Sequence, residues 1–160
     1  MDQLTTLAAA VLALPQPPER VLEIGCGEGE ATLFLAREFP TARVRGVDSS
    51  EAAIRAAVAR VGLDPEGRVA FKRGDPGALP YPDDLFDLVV RNGGSLRPGE
   101  AARVLRAGGH LLYVEPPRRG RRRLSLAWTE WRLAGVGFET VVRAEAGGRR
   151  FWLGRLYARE

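Results

Sequence analysis

From Arg20 onward the apolar residues of this chain alternate between two spacings. Residues 21–24, 44–47, 69–72, 86–90 and 111–114 are short continuous runs rich in Val and Leu, the pattern of central strands buried on both faces. Between them the spacing is helical over residues 28–38. Ser49 or Ser50 can cap a helix carrying Ala52, Ala53, Ala56 and Ala57, and residues 100–106 predict a shorter helix stopped by Gly108 and Gly109. Strands alternating with helices yield βαβ units, so an α/β fold with a parallel sheet is expected. Residues 75–84 carry three prolines and predict a loop. Toward the end, residues 124–133 predict a helix that Gly135 and Gly137 terminate, and residues 138–142 and 151–157 a hairpin across Gly147 and Gly148.

At 160 residues, with 45% hydrophobic and 28% charged side chains, the chain has the length and balance of one soluble globular domain spanning residues 1–160. Residues 4–14 are apolar, but Asp2 precedes them, no Lys or Arg does, and Pro15, Pro17 and Pro18 follow. The run is also well short of the roughly 20 residues a membrane helix needs, so it predicts an N-terminal helix lying against the domain of a cytoplasmic protein with no membrane span. Cys26 is the only cysteine and His110 the only histidine, which excludes an internal disulfide and a Cys/His metal cluster.

The strongest chemical signal is the stretch Val21-Leu22-Glu23-Ile24-Gly25-Cys26-Gly27-Glu28-Gly29-Glu30, a strand running into a glycine turn that opens a helix. Glycines let the backbone approach a ligand and adopt φ values closed to other residues. Such a turn can cradle a dinucleotide pyrophosphate, but here the third glycine comes one residue too early for that fingerprint. Glu23, Glu28 and Glu30 also surround the turn, and carboxylates repel a pyrophosphate. A ligand with an ammonium and a sulfonium centre, as in S-adenosyl-L-methionine, is attracted instead. Asp48 follows Gly29 by nineteen positions, at the end of the second strand, where a carboxylate can accept bonds from both ribose hydroxyls. Asp75, in Gly74-Asp75-Pro76, ends the third strand and can accept from an adenine amino group. Taken singly, each aspartate is as readily a cap or turn residue. Successive strand ends beside the glycine turn are, however, the edge at which open parallel sheets bind ligands.

With these residues in view, the chain resembles the class I S-adenosylmethionine-dependent methyltransferases over nearly its whole length. Residues 21–29 look like that family's first motif and 44–50 its second. Residues 74–90 resemble its stretch of Asp, Leu-Pro-Tyr-Pro-Asp and Phe-Asp-Leu-Val-Val, and 102–116 its Arg-Val-Leu-x-x-Gly-Gly segment. The resemblance implies a three-layer Rossmann-like sandwich with a seven-stranded, mostly parallel sheet whose last strand is antiparallel. It also implies that Glu23, Gly25, Gly27 and Gly29 hold the methionine end, Asp48 the ribose and Asp75 the adenine, with Cys26, Ser49 and Pro76 beside them among the cofactor-binding residues. Arg91 and Asn92 then border the methyl group. Arg91-Asn92-Gly93-Gly94 differs from the Asn-Pro-Pro-Tyr type of motif, which disfavours amino groups of nucleic acid bases or glutamine as acceptors. Only residues 95–99 separate that loop from the next helix, so the region that usually contributes to acceptor binding is abbreviated, and the site is expected to be open or closed by another subunit of an oligomer.

A sulfonium methyl is already activated, so catalysis can consist of aligning the reactants and excluding water. A base is needed only where the acceptor must lose a proton. Glu115, at the end of the fifth strand, is the weak candidate, and it can equally cap the following loop. His110 precedes that strand and belongs at the opposite edge. Cys26 is small enough to pack inside the turn, Tyr81 lies in a loop near the site, and Trp128 and Trp131 read as a packed helix face more readily than as a platform for a planar acceptor. The net charge of +4 and the run Arg118, Arg119, Arg121, Arg122 and Arg123 admit a nucleic acid partner, or simply a solvated basic loop. Three functions compete: a methyltransferase with a small-molecule acceptor ahead of an RNA or protein one, a non-catalytic S-adenosylmethionine-binding subunit that needs a partner, and an aminopropyl transferase or other nucleoside-binding relative.

Overall fold

The structure is a computed structural model that describes residues 2–117 and 126–157. In chain order its elements are α1 (Asp2–Val11), β1 (Arg20–Ile24), α2 (Glu30–Glu38), β2 (Arg43–Asp48), α3 (Glu51–Ala59), β3 (Val69–Arg73), β4 (Phe86–Asn92), α4 (Pro98–Val104), β5 (Leu105–Val114), α5 (Leu126–Ala134), β6 (Phe138–Ala146) and β7 (Arg149–Leu156). They form a seven-stranded sheet in the order β3-β2-β1-β4-β5-β7-β6. Strands β1 to β5 run parallel, and β7 is antiparallel to both β5 and β6. The chain moves outward from β1 to β3 and then returns beside β1 as β4. That reversal opens a crevice at the carboxyl ends of β1 and β4.

Side chains of the central strands alternate between two cores, as a period of two demands. Val21, Leu88, Val90, Leu112 and Leu153 pack on one face with Leu7 of α1 and Leu35 of α2. Leu22, Val89, Leu111 and Trp152 pack on the other with Val104 of α4 and Leu133 of α5. Helices on both faces of the sheet make the three-layer sandwich. Thr6 Oγ1 donates to Ala146 O at 2.7 Å, which ties α1 to the β6–β7 hairpin. No helix among the described residues is long and apolar enough to cross a membrane.

Several boundaries differ from those the sequence predicts. The third strand, expected to be central, is the edge of the sheet, and most of its side chains are exposed or half-buried. The short helix ends at Val104, because Leu105 leaves it to enter the core in extended conformation, and Gly108 lies inside β5 rather than at a helix end. Residues 106–109 stand against Asp87 alone, a bulge that the φ of +78° at Gly108 accommodates. Helix α2 begins at Glu30, two residues late, since Gly29 is left-handed at φ 84°. The hairpin strand β6 runs on to Ala146, because the tight turn at Gly147 and Gly148 lets pairing with β7 continue to Arg149.

Trp152 closes the second core: it is 1% exposed, its indole N–H donates to Thr140 Oγ1 at 2.8 Å, and Phe138 meets it edge-on. A side chain on Gly154 would overlap that ring. Replacing Trp152 with Ala should lower the unfolding free energy by about 3–5 kcal/mol in urea titrations, the usual cost of emptying so large a buried site. A loss below about 1 kcal/mol would mean that the neighbouring strands collapse into the space.

Candidate active site at the glycine turn

The backbone at the end of β1 is built around positive φ: 73° at Gly25, 52° at Gly27 and 84° at Gly29. The end of β2 holds the turn from the side. Val47 O accepts from the amides of Gly25 and Cys26 at 2.8 and 3.0 Å, and Asp48 Oδ2 accepts from Gly27 N–H at 2.9 Å. Asp48 Oδ1 takes the amide of Ser50 at 2.9 Å, and Ser50 in turn caps α3 through Ala53 N–H. One carboxylate therefore joins the glycine turn to the start of α3. Gly29 has a packing role, since a Cβ there would lie 2.7 Å from Phe71 Cζ and 3.1 Å from Ala57 Cβ.

Glu23 lies beneath the turn, 2% exposed, and accepts from the Thr32 hydroxyl of α2. Burial pushes its carboxyl up to about 7, against the opposing pull of Thr32 and the Arg91 guanidinium. Arg91, at the end of β4, reaches back over Gly25: its Nη1 donates to Ile24 O at 2.7 Å and its Nε to Ser95 O at 2.8 Å. A side chain at Gly25 or at Gly94 would overlap the guanidinium. Asn92 Oδ1 is buried beside this arrangement with no hydrogen-bond partner among the described residues.

A crevice of about 320 Å³ runs along this edge, lined by Ile24, Gly25, Val47, Asp48, Ser49, Gly74, Pro76 and residues 91–94. A second hollow, about 340 Å³, lies on the other side of the turn and meets Glu23, Cys26, Gly27 and Asn92. Of the residues singled out in the sequence, Glu23, Gly25, Cys26, Gly27, Asp48, Ser49, Pro76, Arg91 and Asn92 thus line one hollow or the other. Asp75 turns its carboxylate into its own loop, where Oδ1 accepts from Gly77 N–H at 2.7 Å. Glu28 faces outward and pairs with Arg60 at 2.8 Å.

Glu115 does stand at the end of β5, but both of its carboxylate oxygens accept from Arg150, each at 2.8 Å. Both oxygens are thus taken up by the ion pair. The Cys26 thiol, pushed up to about 12 by burial and by Glu23 and Asp48, is no nucleophile near neutral pH. His110 lies inside β5 rather than before it, paired in register with Leu88 at the opposite edge of the sheet. The ring of Tyr81 packs edge-on against Phe86, outside the crevice. Trp128 and Trp131 are 43% and 73% exposed, contrary to the packed face expected, because the inward positions of α5 are Leu126, Thr129 and Leu133. The arginine run at 118–123 lies outside the described residues. Arg149 and Tyr113, beside the Gly93-Gly94 loop, were not singled out in the sequence. The hairpin supplies Arg149 from far along the chain, so no local pattern marks it.

Fold and site together define a Rossmann-like protein with a glycine-lined crevice that Asp48 and Arg91 border. The family profile of a methyltransferase domain matches residues 21–109, and the chain belongs to that family. Solved structures of the same fold include proteins described as S-adenosylmethionine-dependent methyltransferases. Among similar curated proteins, a fatty-acid O-methyltransferase of Mycolicibacterium smegmatis is 38% identical over 61% of this chain and 37% of its own length. A demethylmenaquinone methyltransferase of Thermus thermophilus is 37% identical over 70% of this chain and 54% of its own. A trans-aconitate 2-methyltransferase of Streptomyces coelicolor is 34% identical over 82% and 48%. The chain thus spans roughly half or less of the length of these relatives. In structure it resembles a chain from the complex between the Haloferax volcanii Trm112 methyltransferase activator and a methyltransferase, with TM-score 0.84, 17% identity and coverage of 99% and 91%. An Aquifex aeolicus S-adenosylmethionine-dependent methyltransferase gives 0.79, 16%, 96% and 91%.

Glu23 makes the stability of the ligand-free protein depend on pH in a defined sense. Its carboxyl ionises near 4.5 in the unfolded chain and near 7 in the folded one, so the folded state holds the extra proton between those values. Stability should therefore fall as pH rises through that window, by about 3 kcal/mol at 1.36 kcal/mol per unit. Urea titrations from pH 5 to 8 should show this slope in the parent protein and a flatter one in Glu23→Gln. Parallel slopes would place the ionisation elsewhere.

Proposed function

We propose that the protein binds S-adenosyl-L-methionine in the crevice between β1, β2 and β4 and transfers its methyl group to a small-molecule acceptor. The observation that carries this reading is the buried Glu23 carboxyl directly under a glycine turn that Asp48 also holds. Two acidic groups at this turn favour a cationic nucleoside over a phosphorylated one. Asp48 and Ser49 would hold the ribose, Pro76 and Asp75 the adenine, and Glu23, Gly25, Cys26, Gly27 and Gly29 the amino-acid end. Arg91 and Asn92 border the reacting methyl. When bound, the sulfonium supplies an electrophile that needs no nucleophile from the protein. The protein's part is to align the reactants and exclude water. The names of the similar curated proteins, which refer to fatty acid, demethylmenaquinone and trans-aconitate, support a small molecule as acceptor.

A second reading, a binding subunit completed by a partner, is favoured by the short span of residues 93–97 between β4 and α4, which gives little chain to enclose an acceptor. The likeness to a chain crystallised with the Trm112 activator points the same way. Methyl transfer by the purified protein alone, followed with labelled donor and a pool of cell metabolites, separates the two.

Calorimetry should show S-adenosylhomocysteine bound and NAD ignored. Asp48→Ala should weaken that binding by about 1–3 kcal/mol, the cost of a lost charged acceptor. A cation placed beside Glu23 favours its ionised form, so affinity for S-adenosylmethionine should rise from pH 6 to pH 8 with release of a proton. Tight NAD binding with the sulfonium compound ignored would overturn the proposal.

A further inference from the structure

Beside the nucleoside crevice the loop after β4 passes between two guanidinium groups. Gly93 and Gly94 both have positive φ, 83° and 78°. Arg149 Nη2 stands 3.4 Å from the place a Cβ on Gly93 would occupy, and the Arg91 guanidinium fills the space a Cβ on Gly94 would need. Tyr113 completes the cluster, its hydroxyl donating to Gly94 O at 3.3 Å.

Neither arginine of this pair has a carboxylate as a hydrogen-bonding partner; Glu23 and Asp48 act on Arg91 only from a greater distance. Arg150 is paired with Glu115, Arg103 with Glu100 and Asp83, Arg143 with Glu130 and Arg60 with Glu28. Among the described residues neither Arg91 nor Arg149 has a carboxylate within 4.0 Å; their N–H groups reach only the carbonyl oxygens of Ile24, Ser95 and Glu115. Both are partly buried, and burial already works against their charge. A partly buried guanidinium with no anion in direct contact is stabilised when a ligand supplies one. A guanidinium offers a planar fork of donors that matches a carboxylate.

We propose that Arg91 and Arg149, flanking Gly93 and Gly94 with Tyr113 beside them, form a binding site for the carboxylate of the methyl acceptor, so that the product is a methyl ester. This rests on the methyl-donor reading above. The step balances without a base. The carboxylate oxygen provides the electron pair of the new O–C bond, the C–S bond breaks with its pair passing to sulfur, and an anion and a sulfonium become a neutral ester and a neutral thioether. No proton moves, which agrees with a site whose nearest acidic candidate, Glu115, is held by Arg150.

A carboxylate is also present on the amino-acid end of the donor, and the test separates the two sources. The protein saturated with S-adenosylhomocysteine is titrated with octanoate, phenylacetate and succinate, each against its primary amide. At least one acid should bind ten times or more tighter than its amide. Arg149→Gln should abolish that preference while S-adenosylhomocysteine affinity stays within about twofold, and Arg149→Lys should restore part of it. With S-adenosylmethionine, the preferred acid should yield its methyl ester by mass spectrometry. The proposal is overturned if no acid is preferred over its amide, or if Arg149→Gln leaves the preference intact or weakens S-adenosylhomocysteine tenfold instead, which would assign the cation to the donor. Should S-adenosylhomocysteine fail to bind at the outset, the donor reading falls, and the same titrations on the ligand-free protein decide the arginine pair by themselves.

Discussion

The site depends on a carboxyl group kept out of water. Glu23 sits in a position that the sheet's alternation turns inward, under α2 and away from solvent, with one hydroxyl, from Thr32, as its hydrogen-bonding neighbour. A group so placed is expensive to ionise in the empty protein and inexpensive to ionise once a cation arrives, since the low local dielectric that opposes the lone charge strengthens its attraction to a partner. On the proposed function that desolvation cost is held in readiness for the ligand, and the glycine turn above lets it come close.

Around this carboxyl the strand ends act as a single frame. Parallel pairing sets Glu23 level with Gly46 and Ile24 level with Val47, so the carbonyl of Val47 and the carboxylate of Asp48 meet the amides of the turn. The same pairing places Val90 beside Glu23 on the opposite flank, and Arg91, one residue on, spans from Ile24 to Ser95. The acids Glu23 and Asp48 stand toward the ends of β1 and β2, and Arg91 toward the end of β4. The crevice thus has Asp48 on one flank and Arg91 on the other.

Among the described residues, few groups beside the crevice are placed for acid–base chemistry. His110 is at the wrong edge of the sheet, Cys26 is held protonated, and Glu115 is neutralised. Transfer of a methyl group from a sulfonium needs alignment more than acid–base chemistry, and rigid strand ends supply it. The open face beyond β4 is where the acceptor, or a partner protein, would approach.

Local regularities made much of this legible in the sequence. The strand and helix periods, the left-handed glycines at 25, 27 and 29, and the strand-terminal acids Glu23 and Asp48 depend on neighbours a few residues away, so the order of residues determined them. Other features needed the folded molecule. Glu115 reads as a free carboxylate until β7 brings Arg150 alongside, and Trp128 and Trp131 read as buried until Leu126 and Leu133 prove to be the inward positions. The start of β5 at Leu105, the burial that shifts Glu23, and the approach of Arg149 to Gly93 and of Arg91 to Gly94 were likewise decided by tertiary structure. The physical reason is one of range: backbone conformation is governed by nearby atoms, whereas desolvation and charge pairing depend on whichever distant segment the sheet topology brings within a few ångströms.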